Sequence, residues 1–416
     1  MFKSEFNKNV LTLMKGTTIA QFIVIAISPI LTRLYSPEEF GIFALYSSLV
    51  FITASFSTGK YELAIMFPKK KIDALAVMSL SIAILISITF LLLFIIFIFN
   101  IEIAILLGNE NVAFWLYFLP ISVLMAGVYK NLNYFAIREK QFSPLSSSKV
   151  TQSIGTSSIN LFFGFLNYGV LGLVVGNIVG FFISSYLLYK QVIKENIQIF
   201  RNISRLKMMA LAKQYIKFPK YDMPASLINT LSRNIIPILL VTFFSPIIAG
   251  YYYLTQRIIT LPSNIIASSI SDVFRQQATT DYKRYNNAKK IYISTFKKLF
   301  IISFFPSMIL FFYAKDLFIL VFGVNWEMAG FYTQILTPML FFRFISTPLS
   351  FMFTVVGKQS LNLIGQIIFL CMILISFAMG VYFHSDIITM YCISLTASLF
   401  YIVYIVISYK MALGYR

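Results

Sequence analysis

Three arginines lie deep inside long apolar segments of this chain. Arg233 is about eleven residues from either end of its segment, and Arg257 is about ten residues from one end of the next. At a rise of about 1.5 Å per residue, both lie near the midplane of a bilayer about 30 Å thick. A guanidinium at that depth costs about 2.5–3.5 kcal/mol even on a lenient scale. We therefore expect these arginines, and Arg343 in a later segment, to face protein or a water-filled cavity.

Helical spacing gives each arginine polar neighbours on its own face. Asn229 precedes Arg233 by four residues, and Asn264 follows Arg257 by seven, so each pair shares a helix face. The three polar stripes are Asp222, Ser226, Asn229, Arg233 and Pro237; Tyr253, Arg257, Thr260, Asn264, Ser268, Ser271 and Arg275; and Arg343, Ser346, Thr347, Ser350 and Thr354. This pattern predicts an electropositive, hydrated vestibule that binds an anionic guest.

A structural role for the arginines is the alternative interpretation. They would then cap backbone carbonyls near helix kinks or pair with buried acids. Asp222 and Asp272 lie near the ends of their segments, and no acid lies near the midplane. Lys15, near the inner end of the first segment, either extends the positive field of the vestibule or anchors its helix to headgroups.

The fifth apolar segment carries many hydroxyl and amide side chains, Gln152 among them. Such a surface is suited to hydrogen bonds with sugar hydroxyls, and we predict that Gln152 contacts substrate. Close helix packing is the alternative, because small polar residues are common at membrane helix interfaces. In the sixth segment, Gly172, Gly176 and Gly180 recur every four residues, which predicts packing.

Several chemistries are not supported. The one histidine, His384, lies in a short turn, and Cys371 and Cys392 lie inside apolar runs, so neither a metal site nor a disulfide is predicted. No phosphate-binding loop is present, and we expect no cofactor. Glu62, at the inner end of the second segment, either pairs with nearby lysines such as Lys60 or acts as a gate. Asp73, at the inner end of the third segment, likewise either pairs with lysines such as Lys69–Lys71 or acts as a gate. Solvation of the helix end is the remaining alternative for both acids.

Composition points to lipid as the solvent. The chain is 58% hydrophobic and 12% charged, against about 45–50% and 25% in soluble domains, and its mean hydropathy is +0.81. The formal charge of +19 is spread between apolar runs rather than clustered on a soluble face. We therefore expect contact with anionic lipid headgroups and no nucleic acid partner.

We predict an all-α polytopic membrane protein with twelve transmembrane helices in two six-helix lobes related by a parallel pseudo-repeat. The predicted spans are Leu11–Leu31, Phe40–Thr58, Ile72–Phe99, Val112–Lys130, Pro144–Leu166, Val170–Tyr189, Asp222–Phe244, Ile247–Asp272, Tyr292–Tyr313, Met328–Thr354, Leu361–Phe383 and Ile387–Tyr409. A cytoplasmic N-terminus places 29 of the 34 Lys and Arg residues on the inside. The positive-inside rule therefore predicts that both termini are cytoplasmic.

The longest polar gap divides the chain into predicted domains. Residues 1–189 form the first lobe, 190–221 a basic cytoplasmic linker with an interfacial helix through Ile203–Tyr215, and 222–416 the second lobe. Sequence repeats support two equivalent halves. Ser36-Pro37 with Gly41 and Leu45 recurs as Ser245-Pro246 with Gly250 and Leu254, and Pro120 and Lys140-Gln141 recur as Pro338 and Lys358-Gln359. An even number of helices per half gives a parallel repeat, with a cavity expected between the lobes.

Two stretches carry a family resemblance. The run from Leu31 to Gly41, LTRLYSPEEFG, and the run from Gly59 to Ala64, GKYELA, resemble the N-terminal signature of Wzx-type flippases. These flippases translocate O-antigen and other polysaccharide repeat units and belong to the multidrug/oligosaccharidyl-lipid/polysaccharide exporter superfamily. The motif covers roughly the first 75 residues. Fourteen-helix lipid II flippases are less similar, because two further spans are not found.

The resemblance implies a carrier in the bacterial cytoplasmic membrane, not an enzyme. It would move undecaprenyl-pyrophosphate-linked oligosaccharide repeat units to the periplasmic leaflet by alternating access. It also implies membrane lipid, a polysaccharide polymerase and chain-length proteins as partners, but it assigns no cavity residues. A multidrug or cation antiporter is one alternative, although a midplane carboxylate is missing. A membrane polysaccharide polymerase is another, although the outside loops are short.

Overall fold

The structure is a computed structural model that describes residues 2–193 and 203–414, without the side chains of residues 2–11, 193, 261–269 and 272. Residues 194–202 of the predicted linker and the side chain of Asn264 therefore lie outside the described part. The chain divides into two compact units, Met1–Thr242 and Phe243–Arg416. The predicted lobe boundaries at 189 and 222 remain predictions.

The first unit is helical throughout its described part. Its helices are α1 (Phe2–Leu34), α2 (Pro37–Phe56), α3 (Tyr61–Ala64), α4 (Lys71–Leu106), α5 (Ala113–Leu116), α6 (Leu119–Arg138), α7 (Phe142–Phe165), α8 (Val170–Leu188), α9 (Arg205–Gln214) and α10 (Met223–Phe243). Helix α7 packs between α1 and α8, and α6 contacts α2, α4 and α8. The end of α10 is attached to the end of α4, where the Thr242 hydroxyl donates to the Leu107 carbonyl at 3.0 Å.

The second unit is likewise built from helices. They are α11 (Pro246–Tyr285), α12 (Lys289–Phe322), α13 (Glu327–Leu349), α14 (Met352–Val355), α15 (Gln359–Tyr382) and α16 (Asp386–Ala412). Helix α13 contacts α11, α12 and α16. Its face toward α11 is fixed by the buried Thr255 hydroxyl, which donates to the Ala329 carbonyl at 2.8 Å.

Each of the twelve predicted spans overlaps a long helix, although Val112–Lys130 also covers α5 and Met328–Thr354 also covers part of α14. Among the described residues, nine helices are long and apolar enough to cross a membrane, and a tenth span results if the pair Glu110–Leu116 and Leu119–Arg138, bent by 48°, is one crossing. The other two predicted spans coincide with α7 and α11, which carry many polar side chains. The polytopic helical fold is confirmed, and the number twelve stays a prediction.

The repeated Ser-Pro motif starts an equivalent helix in each unit. Ser36 Oγ accepts from the Glu39 backbone N–H at 3.3 Å while Glu39 accepts from the Ser36 N–H at 2.7 Å, which is a capping box. Ser245 Oγ likewise accepts from the Ile248 N–H at 3.4 Å. Pro37 and Pro246 occupy the first helical turn, where a missing N–H is harmless. The motif thus marks the same local structure twice.

The glycines of α8 allow close packing against α7, as predicted. A Cβ on Gly176 would lie 1.9 Å from the Asn160 amide, and one on Gly180 would lie 2.0 Å from Thr156 Oγ1. Both distances are far inside van der Waals contact, so the two backbones approach as closely as they do only because these residues lack side chains.

We therefore expect Gly176→Leu to lower the thermal unfolding temperature of the purified protein by several degrees, because overpacking costs about 1–3 kcal/mol. Scanning fluorimetry in detergent measures the change. Ser158→Leu is the matched control, since Ser158 lies on the same helix pair but is exposed. Equal effects of the two substitutions would contradict the packing argument.

Candidate functional site

Two predicted site arginines lie on the packed helices α11 and α13 of the second unit. Arg257 and Arg343 are both half-buried. The Nε of Arg257 is buried and has no hydrogen-bond partner among the described residues, and the same holds for Nε2 of the adjacent Gln256. Buried donors without partners are costly, and a bound guest or an ordered water molecule can supply the missing acceptor.

Arg343 lies on α13, which contacts α11. On α11, the buried Tyr252 lies just over one helical turn before Arg257. The hydroxyls of Thr347 and Ser350 donate to backbone carbonyls of their own helix. In the described part of the chain, neither Arg257 nor Arg343 forms an ion pair with a carboxylate. The two arginines therefore bring positive charge to one pair of contacting helices.

The α10 residues of the predicted stripe lie in the first unit. Arg233 is exposed and Asn229 is half-buried, while Pro237 on the same stripe is buried. The backbone of Asn264 lies on α11, seven residues after Arg257. The structure thus places the predicted arginines on three helices, α10, α11 and α13.

Lys15 and Gln152 lie at two different helix contacts, Lys15 where α1 meets α7 and Gln152 where α7 meets α8. Lys15 is exposed and lines a groove with α7. Gln152 is on the face of α7 that meets α8, because its backbone carbonyl would lie 3.1 Å from a Cβ on Gly180. Thr156 and Asn160, one and two turns further along that face, pack at glycines of α8. Much of the polar surface of the fifth span therefore serves helix packing.

A buried charge cluster lies between α2 and α4, in the loop that carries the GKYELA motif. The Glu62 carboxylate is fully buried and lies 2.7 Å from the Lys130 ammonium and 3.9 Å from the Lys60 ammonium. The Thr58 hydroxyl donates to its second oxygen at 2.5 Å. Pairing with Lys60 was predicted, whereas Lys130 was not. The sequence feature that could have indicated the Glu62–Lys130 pair is that Lys60 and Lys130 are both predicted on the cytoplasmic side of the membrane.

The cluster is connected to the linker helix α9. The Tyr61 hydroxyl donates to the Ala212 carbonyl at 3.0 Å, and Leu211 is buried in one apolar cluster with residues of α4 and α6. Asp73 pairs with Lys207 of α9 at 2.5 Å rather than with Lys69–Lys71. The basic linker helix is therefore fixed to the other helices of the first unit by an ion pair, a hydrogen bond and an apolar contact.

Lys60 is an unusual lysine. It has a left-handed backbone, with φ at 61°, and its side chain is almost fully buried. The pKa of Lys60 is lowered to about 8, first by burial and then by the nearby Lys130, while Glu62 opposes both effects. A lowered pKa means that the folded state disfavours the charged form relative to the unfolded chain.

Comparison with known proteins identifies the family. The family model for polysaccharide biosynthesis proteins matches residues 30–330. The chain belongs to this family. The resemblance to Wzx-type flippases is thereby confirmed. No curated protein sequence matches the chain.

Solved structures show the fold of this family member. The lipid II flippase MurJ, in an inward closed conformation, matches with a TM-score of 0.70 and 15% identity over 97% of this chain and 87% of MurJ. The MATE multidrug transporter DinF-BH matches with a TM-score of 0.68 and 15% identity, over 97% of this chain and 94% of the transporter. A MOP superfamily transporter from Pyrococcus furiosus matches with a TM-score of 0.61 and 16% identity, over 96% of this chain and 94% of that transporter. The chain is a multi-pass membrane protein with a transporter fold rather than the fold of a membrane enzyme.

Lys60→Met should stabilise the protein by a few degrees at neutral pH, because it removes a buried charge while Glu62 keeps Lys130 as its partner. Between pH 8 and the ordinary lysine pKa of 10.5, the unfolded chain binds more protons at this position than the folded chain does. The wild type therefore gains stability over that interval, and the advantage of the variant shrinks. Thermal unfolding at pH 7 and pH 10 measures both effects.

Glu62→Gln is the matched contrast, since it leaves two lysines near each other without their counter-charge. We expect it to destabilise the protein strongly, as removal of one partner from a buried pair costs about 3–5 kcal/mol. Unfolding temperatures that fall for Lys60→Met and stay unchanged for Glu62→Gln would contradict the assigned charges.

Proposed function

We propose that this family member moves undecaprenyl-pyrophosphate-linked oligosaccharide repeat units from the cytoplasmic to the periplasmic leaflet by alternating access. The observation that carries the proposal is the pair of half-buried arginines on α11 and α13, of which Arg257 has a buried donor without a described partner. Cations held in an apolar setting are suited to a diphosphate. The family match to polysaccharide biosynthesis proteins supports a saccharide-bearing guest.

The physical logic is differential stabilisation. Removing a doubly charged headgroup from water costs free energy. Guanidinium groups in a low-dielectric site offset this desolvation cost by charge-assisted hydrogen bonds. Arg233, Arg257 and Arg343 would attract the diphosphate, and the polar stripes that include Asn229 and Asn264 would hydrate the sugars. The long prenyl tail stays in lipid throughout. A change in lobe arrangement then alters the side from which the headgroup leaves.

The charge distribution supports the location and orientation. The predicted inside loops carry almost all of the lysines and arginines outside the spans, which favours cytoplasmic termini and the bacterial cytoplasmic membrane. We expect a polysaccharide polymerase and chain-length proteins to act on the exported repeat units. O-antigen and other lipopolysaccharide chains are the expected products.

A multidrug or cation antiporter is the second candidate. Its support is the similarity in fold to the MATE transporter and the fully buried Glu62, which is a carboxylate within an ion-paired cluster. An antiporter changes drug resistance on deletion of the gene, whereas the proposed flippase leaves complete repeat units stranded on the inner leaflet. Measuring drug resistance and stranded repeat units in one deletion strain separates the two functions.

Arg257→Ala should lower translocation of repeat units at least tenfold, because it removes a charged donor from the proposed diphosphate site. Lipid-linked repeat units on the outer leaflet are measured in spheroplasts by their accessibility to added glycosidase. Arg284→Ala is the control, since Arg284 lies at the end of the same helix and is exposed. Normal translocation by Arg257→Ala, Arg343→Ala and Arg233→Ala at native expression would exclude the arginines from the mechanism.

A further inference from the structure

A groove of about 380 Å³ lies between α1 and α7 in the first unit. Its lining is mostly apolar surface, into which one lysine and the hydroxyls of several serines and threonines are set. The lining residues are Thr12, Lys15, Gly16, Ile19, Ser146, Ser147, Val150 and Thr151. This volume falls in the range of pockets that bind small ligands, which is about 300–1,000 Å³.

The base of the groove is held in place by close packing. A Cβ on Gly16 would lie 2.0 Å from Ser146 Oγ and 2.8 Å from Ser146 Cα, so α1 and α7 are in direct contact there. Next to this point, the Lys149 ammonium donates to Thr17 Oγ1 at 3.0 Å and joins the two helices. The base of the groove is therefore formed by two helices in direct contact.

The polar groups of the groove are of the kinds that bind an anion and a sugar. Lys15 supplies an exposed ammonium, and no carboxylate is among the lining residues to neutralise it. Ser147 is exposed and Ser146 and Thr151 are half-buried, so hydroxyl groups border the same space. An ammonium binds phosphate oxygens, and neighbouring hydroxyls exchange hydrogen bonds with sugar hydroxyls.

The groove also lies at a suitable depth. Lys15 and Ser146–Ser147 fall within about one helical turn of the predicted inner ends of the first and fifth spans, Leu11–Leu31 and Pro144–Leu166. That level corresponds to the headgroup region of the inner leaflet, where a lipid-linked saccharide waits before export.

We propose that the α1–α7 groove binds the diphosphate–sugar linkage of the lipid-linked oligosaccharide on the cytoplasmic side, before the headgroup reaches the arginines. Lys15 contacts the diphosphate, and Ser147 and Thr151 contact the first sugar. This inference rests on the proposed function, because it takes its substrate from there. The groove is a separate site from the arginine pair, and it selects the headgroup by charge and hydroxyl content together.

Equilibrium binding to the full-length protein in zwitterionic nanodiscs tests the proposal. The probes are undecaprenyl diphosphate, undecaprenyl diphosphate-linked N-acetylglucosamine and phosphatidylglycerol, counted by native mass spectrometry. Lys15→Gln should weaken both diphosphate probes about tenfold, the loss of one charge-assisted contact, and phosphatidylglycerol much less. Ser147→Ala with Thr151→Val should weaken only the sugar-bearing probe. Lys70→Gln, an exposed lysine outside the groove, should change nothing.

Ile19→Trp gives an independent check, because it fills the groove from an exposed position and leaves Lys15 in place. It should weaken both diphosphate probes. Unchanged binding in Lys15→Gln and Ile19→Trp overturns the groove site. An equal loss for phosphatidylglycerol also overturns it, since the groove would then hold anionic lipid in general. Either result leaves the proposed function standing if the deletion strain still strands repeat units and Arg257→Ala still blocks translocation.

Discussion

The exclusion of water, by hydrocarbon within the spans and by packed protein at their ends, is the constraint on which this structure depends. A charged or polar side chain in such a medium must be paired, packed against another polar group, or left for a guest, because bulk water is absent. The chain contains all three solutions. The Glu62–Lys130 contact is a buried pair, the amide of Asn160 is packed at a glycine of α8, and Arg257 keeps a buried donor without a described partner.

These solutions have different consequences for function. The packed polar groups of α7 bring α1, α7 and α8 into close contact, and the same helix still presents Ser147 and Thr151 to the groove at Lys15. The Glu62 cluster keeps a costly lysine, Lys60, in a loop fixed to the linker helix. The arginines of α11 and α13 carry charge that the described part of the chain does not neutralise. A diphosphate is the complementary charge for such a pair.

Periodicity was sufficient to predict the helices because each helix in lipid satisfies its own backbone hydrogen bonds. The twelve predicted spans all coincide with helices, and the Ser-Pro repeat starts α2 and α11. The extents were less accurate, since α4 runs to Leu106 and α11 to Tyr285, beyond the apolar runs. Hydropathy reports the hydrocarbon layer, whereas a helix continues until its backbone is capped, as by the left-handed Asn286 after α11.

The sequence by itself determined the solvent of this protein, the order of its helices, and the positions along them where charge is expensive. These properties depend on composition and on spacing within one helix, which are local. Only the tertiary structure decided which partner each polar group has. Lys130 is distant from Glu62 along the chain, Lys207 is distant from Asp73, and the groove joins α1 to α7. Contacts of this kind depend on how helices pack across long separations, and helical periodicity carries no information about that packing.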